Sequence, residues 1–440
     1  AEWPTFRCDE ENNGVVENIP VPRTAEEAVL YWSTALGEGY DSDACGSPIL
    51  IGDYIYTYAK NQIYKVNKMT GEVEASGTMD HASSFAINPP TYADGMIFVA
   101  LAKGVVQAFD ADSLESLWIY HDPLKVQPNC PITVSNGYAY TGFWNSETRD
   151  ASFVCLPIAD ERPTASNEEK YAAWRHVQAG GFYWAGACVQ NGVLLVGTDD
   201  GQNSTSLVLS TGRVLLFDAA TGALLDEVGG IRGDVRSTIC YDSGSNAYYA
   251  TSKGGEFIQI KLDATGRKIA SKQTLKLQNG TTSVAMSTST PVVYKGRAYV
   301  GVSGSSQFYA YSGHNITVID LDGAMSIAYR VPTKGYPQAS GLLTTAYEND
   351  ANGGVYVYFA ENTIPGTIRL LYDRKGQTSP ALTTMESGKK VAYALFSPSS
   401  GHAEHCICSL IADAEGTIYF KNDSGHLMAY GRMLEGMEIK

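Results

Sequence analysis

Apolar and polar residues alternate along this chain in short runs separated by tight polar turns. In Ser47-Pro48-Ile49-Leu50-Ile51-Gly52-Asp53-Tyr54-Ile55-Tyr56 one strand-like run, a turn and a second run follow directly. The pattern returns at 90–98 around Asp94-Gly95, at 131–140 around Asn136-Gly137 and at 187–195 around Asn191-Gly192. Further copies lie at 239–249, at 291–299 around Lys295-Gly296, less clearly at 341–358, and at 410–420 around Glu415-Gly416. Period-two alternation marks half-buried strands, and Asn-Gly or Asp-Gly between apolar runs is the strongest local hairpin signal. Hairpins recurring roughly every 40–60 residues define a structural repeat.

The second half of each unit repeats as well. Lys65-Val66-Asn67-Lys68-Met69-Thr70-Gly71, Ala108-Phe109-Asp110-Ala111-Asp112-Ser113-Leu114-Glu115-Ser116-Leu117-Trp118 and Leu216-Phe217-Asp218-Ala219-Ala220-Thr221-Gly222 share one plan. A strand runs into a turn capped by Asp or Asn, a glycine able to take positive φ often closes it, and an outer strand follows. Shorter versions occur at 262–266, 319–323 and 372–376. Four antiparallel strands per unit, repeated radially, predict an all-β, eight-bladed β-propeller of four-stranded antiparallel blades. The last unit offers only three strands, ending in Gly425-His426-Leu427-Met428-Ala429-Tyr430. Val29-Leu30-Tyr31-Trp32-Ser33-Thr34 reads as an outer strand without a hairpin before it, so residues 28–36 are expected to complete blade eight. A ring closed by an N-terminal outer strand protects its edges. The expected division is an N-terminal segment at 1–27, a single eight-bladed propeller at 28–432 and a trailing segment at 433–440.

The stretch from Ala108 to Trp118 is close to an Ala-x-Asp-x-x-Thr-Gly-x-x-x-Trp motif, and the chain opens Trp3-Pro4-Thr5-Phe6-Arg7. In both features it resembles the pyrroloquinoline-quinone-like, or quinoprotein-dehydrogenase-like, propeller repeat family. The resemblance implies the propeller fold over nearly the whole chain, and a choice between dehydrogenases and non-catalytic scaffolds. Alcohol dehydrogenases of that family hold the quinone between an adjacent Cys-Cys disulfide and a Trp, with Glu, Asn and Asp around calcium. Here Cys406 and Cys408 are separated by Ile407, no acidic constellation matches, and Trp184 alone is a candidate stacking residue. The expectation is therefore no cofactor and no enzyme, with quinone-dependent dehydrogenation the third reading.

Charge narrows the partners. Lys and Arg total 32 against 47 Asp and Glu, a net −15 that repels phosphate backbones and predicts no nucleic-acid partner. No apolar run approaches the ~20 residues of a membrane-spanning helix. There is no Gly-x-Ser-x-Gly elbow and no His-Glu-x-x-His site. His402-Ala403-Glu404-His405-Cys406-Ile407-Cys408 has metal-ligand composition without regular spacing, so a disulfide involving Cys406 or Cys408 is expected over a metal site.

In a propeller the connections between blades gather around the channel on one face, the default ligand site. They hold five of the seven histidines, including His121 and His176, together with Arg232, Arg236 and Tyr336. Phe182, Tyr183 and Trp184 read either as a stacking platform for a sugar, peptide or aromatic ligand or as packing between blades. Arg232 and Arg236 fit either an acidic ligand or salt bridges between blades. Insertions at 143–152, 160–170 and 199–210 read as surface loops. The resulting expectation is a non-catalytic, exported propeller, extracellular or at the cell surface, binding a protein or glycan ligand through its channel face. Residues 433–440 are read as a linker within a larger multidomain surface protein. A periplasmic lipoprotein-type assembly scaffold is the alternative.

Overall fold

The computed structural model describes residues 2–37, 46–83, 88–202, 212–278, 285–304 and 313–437. Each hairpin of the repeat forms the two inner strands of a blade. Blade 1 runs outward through Ile49–Ile51, Tyr54–Ala59, Gln62–Asn67 and Val73–Thr78, all antiparallel. The same order recurs in the other sheets, giving an eight-bladed, nearly all-β propeller. Its ring closes as the three-strand count of the last unit requires: Ala28–Ala35 pairs antiparallel with His426–Arg432, from Ala28 opposite Arg432 to Ala35 opposite His426.

The repeated turn has a local cause and a second one between blades. Asp110 Oδ1 accepts the amides of Asp112 and Ser113 at 2.9 Å each, and Asp218 Oδ1 those of Ala220 and Thr221 at 3.0 Å, which closes the turn. The outer-strand tryptophan of one blade then lies on the turn of the next. Trp32 Nε1 donates to Lys68 O at 2.9 Å and Trp174 Nε1 to Ala219 O at 3.0 Å. Gly71 (φ 77°) and Gly222 (φ 75°) lie so close beneath these indoles that a Cβ would fall 2.4 Å from ring carbons. The motif's Trp and Gly are thus partners across the blade boundary. The apolar core has the same distribution: Tyr56 and Ile63 of blade 1 pack with Ile97, Val99 and Phe109 of the second.

Two departures from the repeat matter. The insertion at 160–170 is more than a loop, because Glu168–Lys170 adds a fifth strand parallel to the outer strand of blade 2. Lys170 is buried there, its ammonium 5.1 Å from the Trp118 ring and donating to Ala159 O at 2.7 Å. Blade 7, the unit least clear in the pattern, separates Leu342–Thr344 from Val355–Ala360 by a long excursion at 345–354 and carries an extra outer hairpin strand, Thr383–Glu386.

The N-terminal segment threads the channel. Trp3 bridges Leu50, Pro4 O accepts the Tyr92 amide, and Glu11 O accepts that of Tyr241. The Asn12 side chain donates to both Ala187 O and Ile239 O, and Asn13 exchanges bonds with Val293. Val15–Val16 then pairs parallel with Leu343–Thr344. The segment therefore ties together the inner strands of six blades. Arg7, fully buried, donates to Gly341 O.

Cys406 and Cys408 are free buried thiols, as are Cys130, Cys155, Cys188 and Cys240, so neither joins the expected disulfide. Cys406 Sγ donates to Lys421 O and Cys408 Sγ contacts Ser47, which accounts for them as small core residues. Cys45 lies outside the described residues, as do Tyr40, Asp41, Asp43 and Phe85 in the connections that lead into blades 1 and 2. No helix among the described residues is long and apolar enough to cross a membrane.

Candidate functional site: the channel mouth

The upper face, where one blade connects to the next, gathers an ionic cluster at blades 3 to 5. The connection 232–239 carries Asp234 and Arg236, the segment following Val193–Gly197 carries Asp199, and that following Tyr138–Gly142 carries Trp144 and Glu147. Arg236 is only 5% exposed. Its Nε and Nη2 grip Asp199 at 2.9 and 2.7 Å, and Nη2 also reaches Asp234 at 3.3 Å and Glu147 at 3.5 Å. Trp144 Nε1 donates to Asp199 Oδ2 at 2.8 Å, and the guanidinium lies 4.2 Å from the Tyr183 ring centre. Burial opposes the charge on Arg236, but Asp199, Asp234 and Glu147 together hold it well above its ordinary value. Beside it, burial and the neighbouring Asp234 carboxylate push Asp200 up to about 6.

Glu147, Asp199 and Asp234 also bring carboxylate oxygens within 4.8 Å of one another, a spacing that suits a cation. The guanidinium of Arg236 answers one of the three negative charges, and the ammonium of Lys253 lies near enough to interact with the same three carboxylates. Chemically it fixes three connections in one geometry and leaves half-exposed rings above it: Tyr183 packs against Trp144 at 4.9 Å, edge to face, and against Trp184 at 4.6 Å.

The sequence-nominated residues divide accordingly. Tyr183, Trp184 and Arg236 come together at the mouth. Phe182 is fully buried, packed on Phe153 at 5.3 Å, and so serves the core between blades 3 and 4. Arg232 lies in the same connection as Arg236, with its amide donating to Glu256 Oε1 at 2.6 Å. Tyr336 is buried across the channel, its hydroxyl meeting the Thr288 amide at 2.9 Å; burial pushes its pKa up to about 12. His121 and His176 belong to outer strands, Ser116–His121 and Trp174–Ala179, rather than to the mouth. His121 pairs with Glu169 at 3.0 Å, and His176 with Gln178 at 3.0 Å, edge-on to Phe217. Trp144, Glu147, Asp199 and Asp234 were not nominated. The signal for Trp144, Glu147 and Asp199 was a Trp and acids inside the insertions at 143–152 and 199–210, in neighbouring blades, and for Asp234 its place between Arg232 and Arg236.

Beneath the mouth the described residues pack closely. The cavity bounded by Phe6, Trp184, Arg236, Thr288 and Ser340 measures about 10 Å³, room for a single water at most. A tricyclic quinone does not fit there, and the 402–408 stretch brings no metal-type cluster together among the described residues.

Residues 25–144 match the family model described as outer membrane protein assembly factor BamB. No curated protein matches the chain. Among solved structures, quinohemoprotein alcohol dehydrogenase from Comamonas testosteroni is similar with TM-score 0.69 and 12% identity, over 99% of this chain and 82% of that one. Quinohemoprotein alcohol dehydrogenase ADHIIG from Pseudomonas putida HK5 gives 0.67 and 11%, over 99% and 81%. BamB from Moraxella catarrhalis gives 0.56 and 12%, over 93% and 99%. At these identities the likeness is one of fold. What is shared with all three is the β-propeller fold. The family-model match over residues 25–144 includes the motif at 108–118 that carried the resemblance.

Proposed function

We propose that this chain is a non-catalytic, exported propeller that holds a protein partner on its upper face, at the cell surface or in the periplasm. The close packing beneath the mouth carries the reading: the cavity between Phe6, Trp184 and Arg236 holds about 10 Å³, which favours binding on the aromatic surface over chemistry in that cavity. Half-exposed Trp144, Tyr183 and Trp184, held by the Arg236 cluster, have the rigid aromatic character of interface anchors. The match of residues 25–144 to an outer membrane assembly factor favours a scaffold that presents or positions another protein. A glycan stacked on the same rings is the other occupant.

The test combines a cofactor arm and a partner arm. Incubation with pyrroloquinoline quinone and calcium, followed by dialysis and absorbance, should leave no bound quinone; stoichiometric retention with dye-linked alcohol oxidation would overturn the reading. Photo-crosslinking from position 183 in the native host should give a discrete protein adduct that Trp184→Ala weakens. A glycan-array signal lost in Trp184→Ala, without a protein adduct, would transfer the site to a saccharide.

A further inference from the structure

A concavity of about 1050 Å³ lies on the opposite, lower face, at the rim of blade 7. That is the upper end of ligand-pocket sizes, about 300–1000 Å³, and fits an extended segment better than a compact small molecule. It exists because blade 7 departs from the repeat. The excursion at 345–354 and the turn after Ile368–Asp373 stand apart and leave a groove between them. In other blades the Asp of the turn motif caps its own turn, as Asp110 and Asp218 do. Asp373 instead faces inward, accepting bonds from Arg297 at 2.9 and 3.1 Å and from the Tyr329 hydroxyl at 2.7 Å. The turn that follows is held instead through Gln377, whose side chain donates to Tyr372 O and to the Tyr329 hydroxyl at 3.0 Å each, and Arg374 and Lys375 are exposed at its tip.

One wall of the groove is a row of half-buried tyrosines. Tyr347 meets Tyr356 at 5.4 Å and Tyr356 meets Tyr372 at 5.3 Å, both edge to face. Arg23 lies over the Tyr347 ring at 3.9 Å. The charged lining residues are Arg23, Arg374 and Lys375 against Asp350 alone, an excess of positive charge on a chain that carries −15. Arg23 is tied to Asp350 at 3.3 Å and Lys375 to Asp322 at 2.7 Å, both in water and readily exchanged. Arg374 makes no side-chain hydrogen bond or ion pair among the described residues.

We propose that this groove binds an extended acidic segment of a partner protein, with a carboxylate on Arg374 and an apolar or aromatic side chain against Tyr356 and Tyr372. Tyrosine with arginine is the composition of protein-interface centres, and a guanidinium pairs with a carboxylate through two parallel bonds. A saccharide suits the wall less well. Sugars stack on flat ring faces, whereas this wall alternates edges with faces and Arg23 already covers the face of Tyr347. The site is separate from the channel mouth, so each stands or falls alone.

The experiment screens the whole chain against displayed random decapeptides and a panel of acidic and neutral oligosaccharides. Bound peptides should be enriched in Asp and Glu, weaken as salt rises, and lose about fivefold or more in affinity for Arg374→Gln, whose exposed side chain leaves folding unaffected. Tyr356→Ala should weaken them similarly, and Tyr183→Ala at the mouth should not. Peptides without acidic enrichment, affinity unchanged in Arg374→Gln, or displacement by an acidic oligosaccharide that binds more tightly would each overturn the proposal.

Discussion

The channel mouth and the lower groove are built from the same parts, guanidinium groups beside tyrosines and carboxylates, and behave oppositely because of burial. At the mouth Arg236 is 5% exposed and its charge is shared by three carboxylates and an aromatic ring. In a low-dielectric surrounding each contact is strong and each lost partner leaves an uncompensated charge. At the groove Arg23 and Lys375 each keep one solvated partner, and Arg374 none. Water screens such pairs to little net value, so they remain available to a ligand. The buried cluster holds its surroundings in one shape. The exposed groups hold nothing in place, and for that reason can accept something new.

Removing each guanidinium breaks the contrast most directly. Arg236→Met should destabilise the chain by about 3–5 kcal/mol, because Asp199 and Asp234 stay buried without their cation. Urea unfolding measures this, and a loss below about 1 kcal/mol would show that the mouth is not the tight knot its distances describe.

Asp423 supplies the case of a carboxylate held back from solvent without a cation. It lies on the upper face after Ile418–Lys421, and burial, with Glu404 adding repulsion, pushes it up to about 7. Its folded-state pKa thus exceeds the unfolded value, so the folded chain keeps a proton that the unfolded chain releases. Stability should fall as pH rises from about 4 to about 7 and then level off. Asp423→Asn should remove that decline. At pH 8 it should gain roughly 1–2 kcal/mol over the parent, a figure reduced for partial solvent screening. The gap should close near pH 4; thermal unfolding at both pH values reads it, and an equal gap at both would reject the role given to Asp423.

How far the sequence disclosed these regions follows from which interactions are local. Hairpins, Asx turns and the missing outer strand are written in neighbouring residues, so Asp110, Gly71 and Val29 to Thr34 announced the blades and the closing of the ring. Tyr183, Trp184 and Arg236 were legible as members of a connection. Their carboxylate partners were not, because Glu147 and Asp199 reach Arg236 only once three blades stand side by side. Phe182 went the same way: adjacent to Tyr183 in sequence, it turns into the core formed with Phe153. His121 ends its outer strand and His176 lies within one that runs on to Ala179, further than the pattern suggested. Blade 7 was the least clear repeat, and it is where Asp373 leaves its turn and the groove opens. Irregularity in the pattern marked the place but not its chemistry.

On the groove side the effects on stability should be small and graded. Arg23→Gln removes one solvated ion pair with Asp350 and the contact over Tyr347, and should cost about 0.5–1 kcal/mol. Arg374→Gln should lie within about 0.5 kcal/mol of the parent, since the side chain is exposed and holds no partner in the fold. Urea unfolding of the two variants beside Arg236→Met places all three guanidinium groups on one scale. If Arg374→Gln cost as much as Arg23→Gln, the side chain would be holding the turn at 374–382 in place, and a structural duty would replace the ligand-binding one. If it costs nothing while Arg236→Met is severe, the two faces differ as their burial requires: one guanidinium is committed to the fold and the other is left for a partner.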